Sequence, residues 1–344
     1  MRNRMDFFLE KKEKHGAEKM GSVKDLKVKK PATENSMGVG VFHFTDDYSV
    51  FDYGKMPDVI PQKGEALCRM AAYNFGQLRK RGIKSHYRKL VKGNEMEVDL
   101  VRVLFPQKGE LKPGMRNYLV PLEVIFRNSL PEGSSVFKRI ASGQTTPQQL
   151  GLSKTPEPGE KLERAIMDVS TKLEETDRYL TWEEAREISG LTQKQVEDLK
   201  QTALKVNDFL TEKAESIGIE HADGKVEFGL SPKNELILID VVGTLDENRF
   251  LHNGFHLSKQ VLRDYYKATP WYAVIEREKA EGKGKGNYTV PPRIPKELLK
   301  IVSDMYKATT AEWTGEKAWK VPGIDAVVES YGQFLEKPGK GTKS

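Results

Sequence analysis

Cysteine is almost missing from this chain. Cys68 stands alone among 344 residues, which excludes an internal disulfide and a thiolate-held metal cluster. Such usage fits a reducing, cytoplasmic setting. Long apolar runs are missing too. No stretch approaches the roughly 18 residues of a membrane-spanning helix, and the opening M-R-N-R-M-D-F-F-L-E-K-K-E-K has no apolar h-region of a secretory signal. There is no G-x-x-x-x-G-K-[ST] phosphate loop, no G-x-G-x-x-G dinucleotide fingerprint, no G-x-S-x-G nucleophile elbow, and no H-R-D or D-F-G of a protein kinase. Of the histidines, only His252 and His256 have ligand-like spacing, on a segment of undecided type, so no zinc site is expected.

Charge is what the chain has in quantity. The formal net charge is +6. Much of the excess lies near the ends, at Lys11, Lys12, Lys14 and Lys19, in the lysines of 24–30, and at Lys337, Lys340 and Lys343. Aromatic residues are not interleaved with these runs, so they read as solvated tails rather than a nucleic-acid surface. A positive balance also suits a protein that holds phosphorylated small molecules.

Hydrophobic periodicity orders the chain. Strands are expected at 23–28, 39–44 and 97–104, with Phe42 and Phe44 on one face. A helix is expected at 63–81, where Leu67, Met70, Ala71, Asn74 and Phe75 recur at helical spacing and Gly82 stops it. Residues 106–116 form a loop. The apolar run 117–126 is strand-like, but Pro121 argues for an edge or crossover position. It is read as a hinge between two lobes, 1–118 and 119–344. A loop-rich segment follows at 128–160. Helices are expected at 181–189 and 192–217, the latter opening on the capping box T-Q-K-Q, with Val196, Leu199, Ala203, Val206, Phe209 and Leu210 as a core stripe. Further helices are expected at 259–267, 272–281, 296–310 and 324–335. Strands early, helices late and no steady βαβ alternation indicate an α+β fold.

The richest stretch is 223–249, D-G-K-V-E-F-G-L-S-P-K-N-E-L-I-L-I-D-V-V-G-T-L-D-E-N-R. Lys225 and Glu227 are two apart and share a strand face. Ser231-Pro232-Lys233-Asn234 is turn chemistry. A four-residue loop there places Glu227 and Asp240 on one face of neighbouring strands. Two carboxylates and a lysine so gathered read either as a surface ion pair or as a seat for a divalent cation and a phosphate.

Other segments are weaker alone. Gly21-Ser22-Val23-Lys24 could bring backbone N–H groups and a cation to a phosphate. Thr45 to Asp52 is an Asx-rich turn or a recognition loop, and Gln62-Lys63-Gly64 opens a helix whose N-terminus could take an anion. Arg127, followed by Gly133, Ser134 and Ser135, offers a guanidinium fork with hydroxyl and backbone donors. Ser170-Thr171-Lys172 with Asp177 reads as a charged cluster between helices.

Taken in order, these segments resemble phosphoribosylaminoimidazole-succinocarboxamide synthase, or SAICAR synthetase. The matching stretches are G-S-V-K-D, F-T-D-D-Y-S-V-F-D with I-P-Q-K-G, V-P-L-E-V-I-F-R-N…G-S, S-T-K…D, D-G-K-V-E-F-G and I-D-V-V-G-T-L-D-E-N-R-F, over roughly residues 20–265. The wording of T-D-R-Y-L and D-V-V-G-T-L-D-E-N-R-F is similar to the archaeal branch.

The resemblance implies a two-lobed α+β fold related to ATP-grasp enzymes and kinases, mainly antiparallel sheets with a helical C-terminal extension. It implies an ATP- and Mg2+-dependent ligase that joins aspartate to the carboxylate of carboxyaminoimidazole ribotide through an acyl phosphate, in de novo purine synthesis. It also implies a homo-oligomer, often a dimer, and gives no role to nucleic acid or membrane. Under it, Gly21 and Lys24 contact ATP, and Glu227 and Asp240 hold the metal. Lys225 and Asp223 act at the reacting groups. Arg127, Gly133, Ser134 and Arg249 hold the ribotide phosphate, and Lys172 and Asp177 lie on a closing loop. The chain departs from bacterial relatives at Val241, where a glutamate is common, and at Ser22, where a second lysine is. The Arg127–Ser134 interval is one residue longer, so Ser135 competes with Ser134. A paralogous amide ligase and a kinase-like phosphotransferase, each acting on another small phosphorylated substrate, are the alternatives.

Overall fold

The computed structural model describes residues 18–20, 23–174, 178–284 and 286–337. Two antiparallel sheets organise it. The first has five strands in the order β1-β2-β3-β5-β4, formed by β1 (Glu18–Met20), β2 (Lys24–Lys30), β3 (Gly38–Phe44), β4 (Tyr87–Lys92) and β5 (Glu95–Leu100). Helix α1 (Lys63–Lys80) packs on it, and the expected helical stripe of Leu67, Met70, Ala71, Asn74 and Phe75 is buried. Its N-terminus is not open to a foreign anion. The Asp46 carboxylate accepts from the N–H groups of Gln62 and Gly64, both at 2.9 Å. The T-D-D-Y segment is therefore a cap for this helix.

The second sheet runs β11-β10-β8-β6-β7, with β9 also on β8. Its strands are β6 (Tyr118–Ser129), β7 (Lys161–Thr171), β8 (Glu220–Leu230), β9 (Leu236–Ile239), β10 (Asn248–His252) and β11 (Phe255–His256). Helices α2 (Ser135–Ala141), α3 (Trp182–Ser189) and α4 (Gln193–Glu215) intervene. Both α3 and α4 start on full capping boxes, Thr181 with Glu184 and Thr192 with Gln195. The apolar stripe of α4 is buried against the back of the sheet. Helices α5 (Gln260–Lys267), α6 (Pro270–Ala280), α7 (Lys296–Thr314) and α8 (Ile324–Glu336) complete the chain. One hydrophobic cluster joins Phe44 and Phe75 of the first half to Val124, Phe228 and Trp313 of the second. Among the described residues, no helix is long and apolar enough to cross a membrane.

Three expectations are corrected. Strand β6 is central, between β7 and β8, despite Pro121. The proline is tolerated because the β6–β8 pairing is irregular between Leu119 and Glu123, so no regular ladder bond needs its missing N–H. Residues 161–171 form a full strand, so Ser170-Thr171-Lys172 ends β7 rather than linking helices. The β8–β9 register also differs by one. Leu230 pairs with Leu236 and Glu227 with Ile239, giving a five-residue turn. A regular strand would then turn Asp240 away from Glu227. Asp240 instead leaves the strand with φ 64°, in the left-handed region, and its carboxylate comes back to the site.

Candidate active site

The site face of the second sheet follows from strand alternation. Asp223, Lys225 and Glu227 lie on one face of β8. Directly opposite on β6 stand Arg127, Ile125 and Glu123. On β10, Arg249 pairs with Asp223. One row across three strands therefore reads Arg127, Asp223, Arg249. The next polar positions along β8 carry the lysine and glutamate.

At the lysine end, Lys225 Nζ donates to Glu123 Oε1 at 2.7 Å and lies 3.1 Å from Glu247 Oε2 and 3.9 Å from Glu227 Oε1. Lys172, just past β7, pairs with Glu227 and stands 3.7 Å from Glu123. Lys24, at the start of β2, pairs with Asp240 and so links the two sheets. Its ammonium is also 5.1 Å from the centre of the Phe42 ring. Asp240 is held through its backbone as well. His86 Nε2 donates to the Asp240 carbonyl oxygen at 3.1 Å. Burial holds the His86 ring well down, at about 4, so it is neutral and keeps one N–H for this bond.

The charges pull on one another. Burial pushes the Glu227 carboxyl up to about 7, with Lys172 opposing and Asp240 adding to the rise. Asp240 goes the other way: burial is outweighed by Lys24 and Lys172, which hold it below the usual carboxylate range. Glu247 is also held low, because Lys225, Lys259 and Lys24 outweigh its burial. The ammonium of Lys225 stays charged, since Glu247, Glu227 and Glu123 overcome its desolvation.

At the arginine end, Arg249 makes a forked pair with Asp223, with Nε at 2.8 Å from Oδ1 and Nη2 on Oδ2. Arg127 lies between two carboxylates, 3.4 Å from Asp223 and 3.4 Å from Asp168, and Arg139 pairs with Asp168. The Arg127 guanidinium also reaches the hydroxyls of Tyr179 at 3.3 Å and Ser135 at 3.4 Å. Its Nε is buried with no hydrogen-bond partner among the described residues. Ser134 is the N-cap of α2, its hydroxyl accepting from Val136 N–H at 3.4 Å. The serine facing Arg127 is thus Ser135. Gly133 sits at φ 77°, which lets the chain turn from β6 into this cap.

Nearly all expected site residues within the described chain converge: Lys24, Glu227, Asp240, Lys225 and Lys172 at one end, Arg127, Arg249 and Asp223 at the other. Gly21, Ser22 and Asp177 lie outside the described residues. Sequence reasoning missed Glu123, Glu247, Asp168, Arg139, Tyr179 and Lys259. Glu123 was findable, since it lies four residues before Arg127 and period two puts both on one face. Val241, at the position where the resemblance led to an expected glutamate, is buried in the core. The carboxylates nearest Lys225 are those of Glu123 and Glu247.

Fold and site together define a two-sheet α+β protein with a row of clustered, paired charges on one sheet face. The chain belongs to the SAICAR synthetase family, in its archaeal-type branch, and the family's sequence profile matches residues 26–278. A candidate phosphoribosylaminoimidazole-succinocarboxamide synthase of Archaeoglobus fulgidus is 44% identical over 333 residues, covering 92% of this chain and 100% of that one. The phosphoribosylaminoimidazole-succinocarboxamide synthase of Thermoplasma acidophilum is 36% identical over 284 residues, covering 80% of this chain and 93% of its own. Among solved structures, the SAICAR synthase of Saccharomyces cerevisiae complexed with SAICAR superposes with a TM-score of 0.62 at 23% identity, covering 88% of this chain and 95% of that one. A SAICAR synthetase in complex with ADP gives 0.61 at 22% identity, covering 88% and 100%. These two likenesses are of fold.

Proposed function

We propose that this protein joins aspartate to the carboxylate of carboxyaminoimidazole ribotide at the expense of ATP, as a cytoplasmic enzyme of purine biosynthesis. The observation that carries the reading is the row on β8. A forked arginine pair stands at Asp223, and a half-buried lysine stands two residues on, about 7 Å along the strand. Such spacing suits a substrate with a phosphate at one end and a reacting carboxylate at the other. Arg127, Arg249 and Ser135 would hold the ribotide phosphate, with Gly133 and Ser134 shaping that turn. Lys24, with Gly21, would meet the ATP phosphates.

The chemistry has two steps. A carboxylate oxygen of the ribotide attacks the γ-phosphorus and ADP leaves. The amine of aspartate then attacks the acyl carbon, the C–O bond to phosphate breaks, and nitrogen loses its proton. Lys225 lies where negative charge grows in both steps, and a half-buried cation held among carboxylates stabilises it. Glu247 and Glu123 hold that ammonium in place and charged. We give the proton of the incoming amine to a carboxylate of this face, with Asp223 turned instead to orienting Arg127 and Arg249. Lys172 and Asp177 would close over the site and exclude water from the acyl phosphate. Lys259 has no ion-pair partner among the described residues, and it adds positive charge beside Asp246 and Glu247 for a second substrate carboxylate.

Divalent magnesium fits the donor set. Glu227 and Asp240 are oxygen donors only, and among the described residues no three His, Cys, Asp or Glu side chains form a cage of their own. Two carboxylates leave room for water and phosphate oxygens, which is how Mg2+ is usually held beside nucleotides. The ion would neutralise phosphate charge during transfer. Residues 1–118 then form the nucleotide-side lobe and 119–344 the lobe that seats the ribotide. The test is phosphate release from ATP by the purified protein. It should require both the ribotide and aspartate, and turnover without aspartate would sink the ligase reading.

A further inference from the structure

Helices α7 and α8 lie beyond the family-matched residues 26–278, yet α7 reaches the active-site loop from behind. This loop, 240–247, joins β9 to β10 and carries both Asp240 and Glu247. Two buried fastenings hold it. In the first, the Asp246 carboxylate accepts from the Tyr306 hydroxyl of α7 at 2.6 Å and pairs with Lys63 Nζ of α1 at 2.7 Å. Lys63 is fully buried, and its ammonium lies 5.6 Å from the centre of the Tyr306 ring. In the second, Trp313 Nε1 of α7 donates to Asn74 Oδ1 at 2.7 Å. With its oxygen so engaged, Asn74 turns its amide NH2 to the loop and donates to the carbonyls of Val242 and Gly243, at 3.0 and 3.3 Å.

The loop is pressed tightly onto this support. Gly243 has φ 66°, and a Cβ there would lie 2.3 Å from Leu210 Cδ2 and 2.5 Å from Asn74 Nδ2. Beyond it, the Thr244 carbonyl accepts from the N–H groups of Glu247 and Asn248, at 3.2 and 3.0 Å, and from Asn248 Nδ2 at 3.1 Å. The outcome of this chain of contacts is the placement of Glu247 Oε2 3.1 Å from Lys225 Nζ.

We propose that Tyr306 and Trp313 are positioning residues of the reaction. Helix α7 is a strut that holds loop 242–247 so that Glu247 stays against Lys225. The role of Lys225 here rests on the ligase reading, and the strut on geometry alone. Tyr306→Phe is the clean probe, because it removes one hydrogen bond and leaves the buried Lys63–Asp246 pair intact. In the full-length protein it should lower kcat about tenfold, the loss of one strong hydrogen bond to a charged group, with KM for ATP unchanged within about twofold. Backbone amide exchange of 242–248 should quicken about tenfold while exchange in α4 stays as in the parent. In a Glu247→Gln background, Tyr306→Phe should cost no further kcat, since the group it positions is gone. Trp313→Phe should quicken the same amides. A kcat within about twofold of the parent, a full tenfold loss still present in the Glu247→Gln background, or unchanged loop exchange would each overturn the strut. Should the parent protein show no ligase turnover, the exchange comparison decides the strut by itself, independently of the reaction.

Discussion

The lysine end and the arginine end of β8 make the instructive comparison. Both are clusters of paired charges on one sheet face, yet they differ in balance and in freedom. By direct ion pairs, Lys24, Lys172 and Lys225 meet four carboxylates, Glu123, Glu227, Asp240 and Glu247. Arg127, Arg139 and Arg249 meet two, Asp168 and Asp223. One end has a carboxylate in excess and invites a cation; the other has a guanidinium in excess and invites an anion. Freedom differs as well. The side chains of Arg127 and Asp168 are each 3% exposed, whereas Lys225 is 30% exposed. Guanidinium forks lock to carboxylates in a plane, while an ammonium on a flexible stem can follow charge as it moves. Under the proposed reaction, the difference assigns holding to one end and response to the other.

Three outcomes sharpen or break this division. The largest effect belongs to Lys225→Ala. Removing a fixed cation from a site of growing charge should lower kcat at least about 100-fold, with an unchanged circular dichroism spectrum. A fully active variant would mean that the lysine end does not take part in the chemistry. Arg249→Ala comes next. It should raise KM for the ribotide about 10- to 100-fold, the loss of a charge-assisted hydrogen bond, and move kcat and KM for ATP much less. If it instead lowers kcat as strongly as Lys225→Ala, the holding and responding roles are not separate.

The smallest effect is on stability. A buried neutral histidine underlies each end: His86 bonds the backbone of Asp240, and His221 bonds Asn248 Oδ1 at 3.1 Å beneath the arginine row. Burial holds both rings down at about 4, against about 6.5 in the unfolded chain. Between those values the unfolded state binds protons that the fold refuses. Stability should therefore be complete above about pH 6.5 and fall as pH drops towards about 4. Glu227, pushed up to about 7, acts in the opposite sense over this window, so urea unfolding midpoints at pH 7 and pH 5 are compared in a Glu227→Gln background, where equal midpoints would contradict the burial of these rings.

Much of the fold could be read directly. Helix α1, the capping box of α4 and the apolar stripe behind it follow from local spacing and short-range hydrogen bonds, which act within one or two turns. Strand β7 was hidden because K-L-E-R-A-I-M-D carries charge on the face that the site uses, and β4, Y-R-K-L-V-K, because an edge strand has little apolar alternation to show. Pro121 misled because its cost depends on the neighbouring ladder, which is irregular there. At the site, the shared face of Asp223, Lys225 and Glu227 was evident from period two. Glu247 was not, since it lies in an irregular loop without any period.

The chain's own order of residues therefore settles what is local: where helices start and stop, and which side chains on β8 point together. It cannot settle which distant groups meet them. Lys24 and Asp240 are 216 positions apart, and their meeting depends on the packing of two sheets around one core. A register one residue different from the simple hairpin would have turned Asp240 away. The left-handed turn at Asp240, braced by His86 just before β4, returns it to Glu227. Long-range pairing and a single backbone torsion made that choice, because register is a property of several packed strands together and not of any one of them.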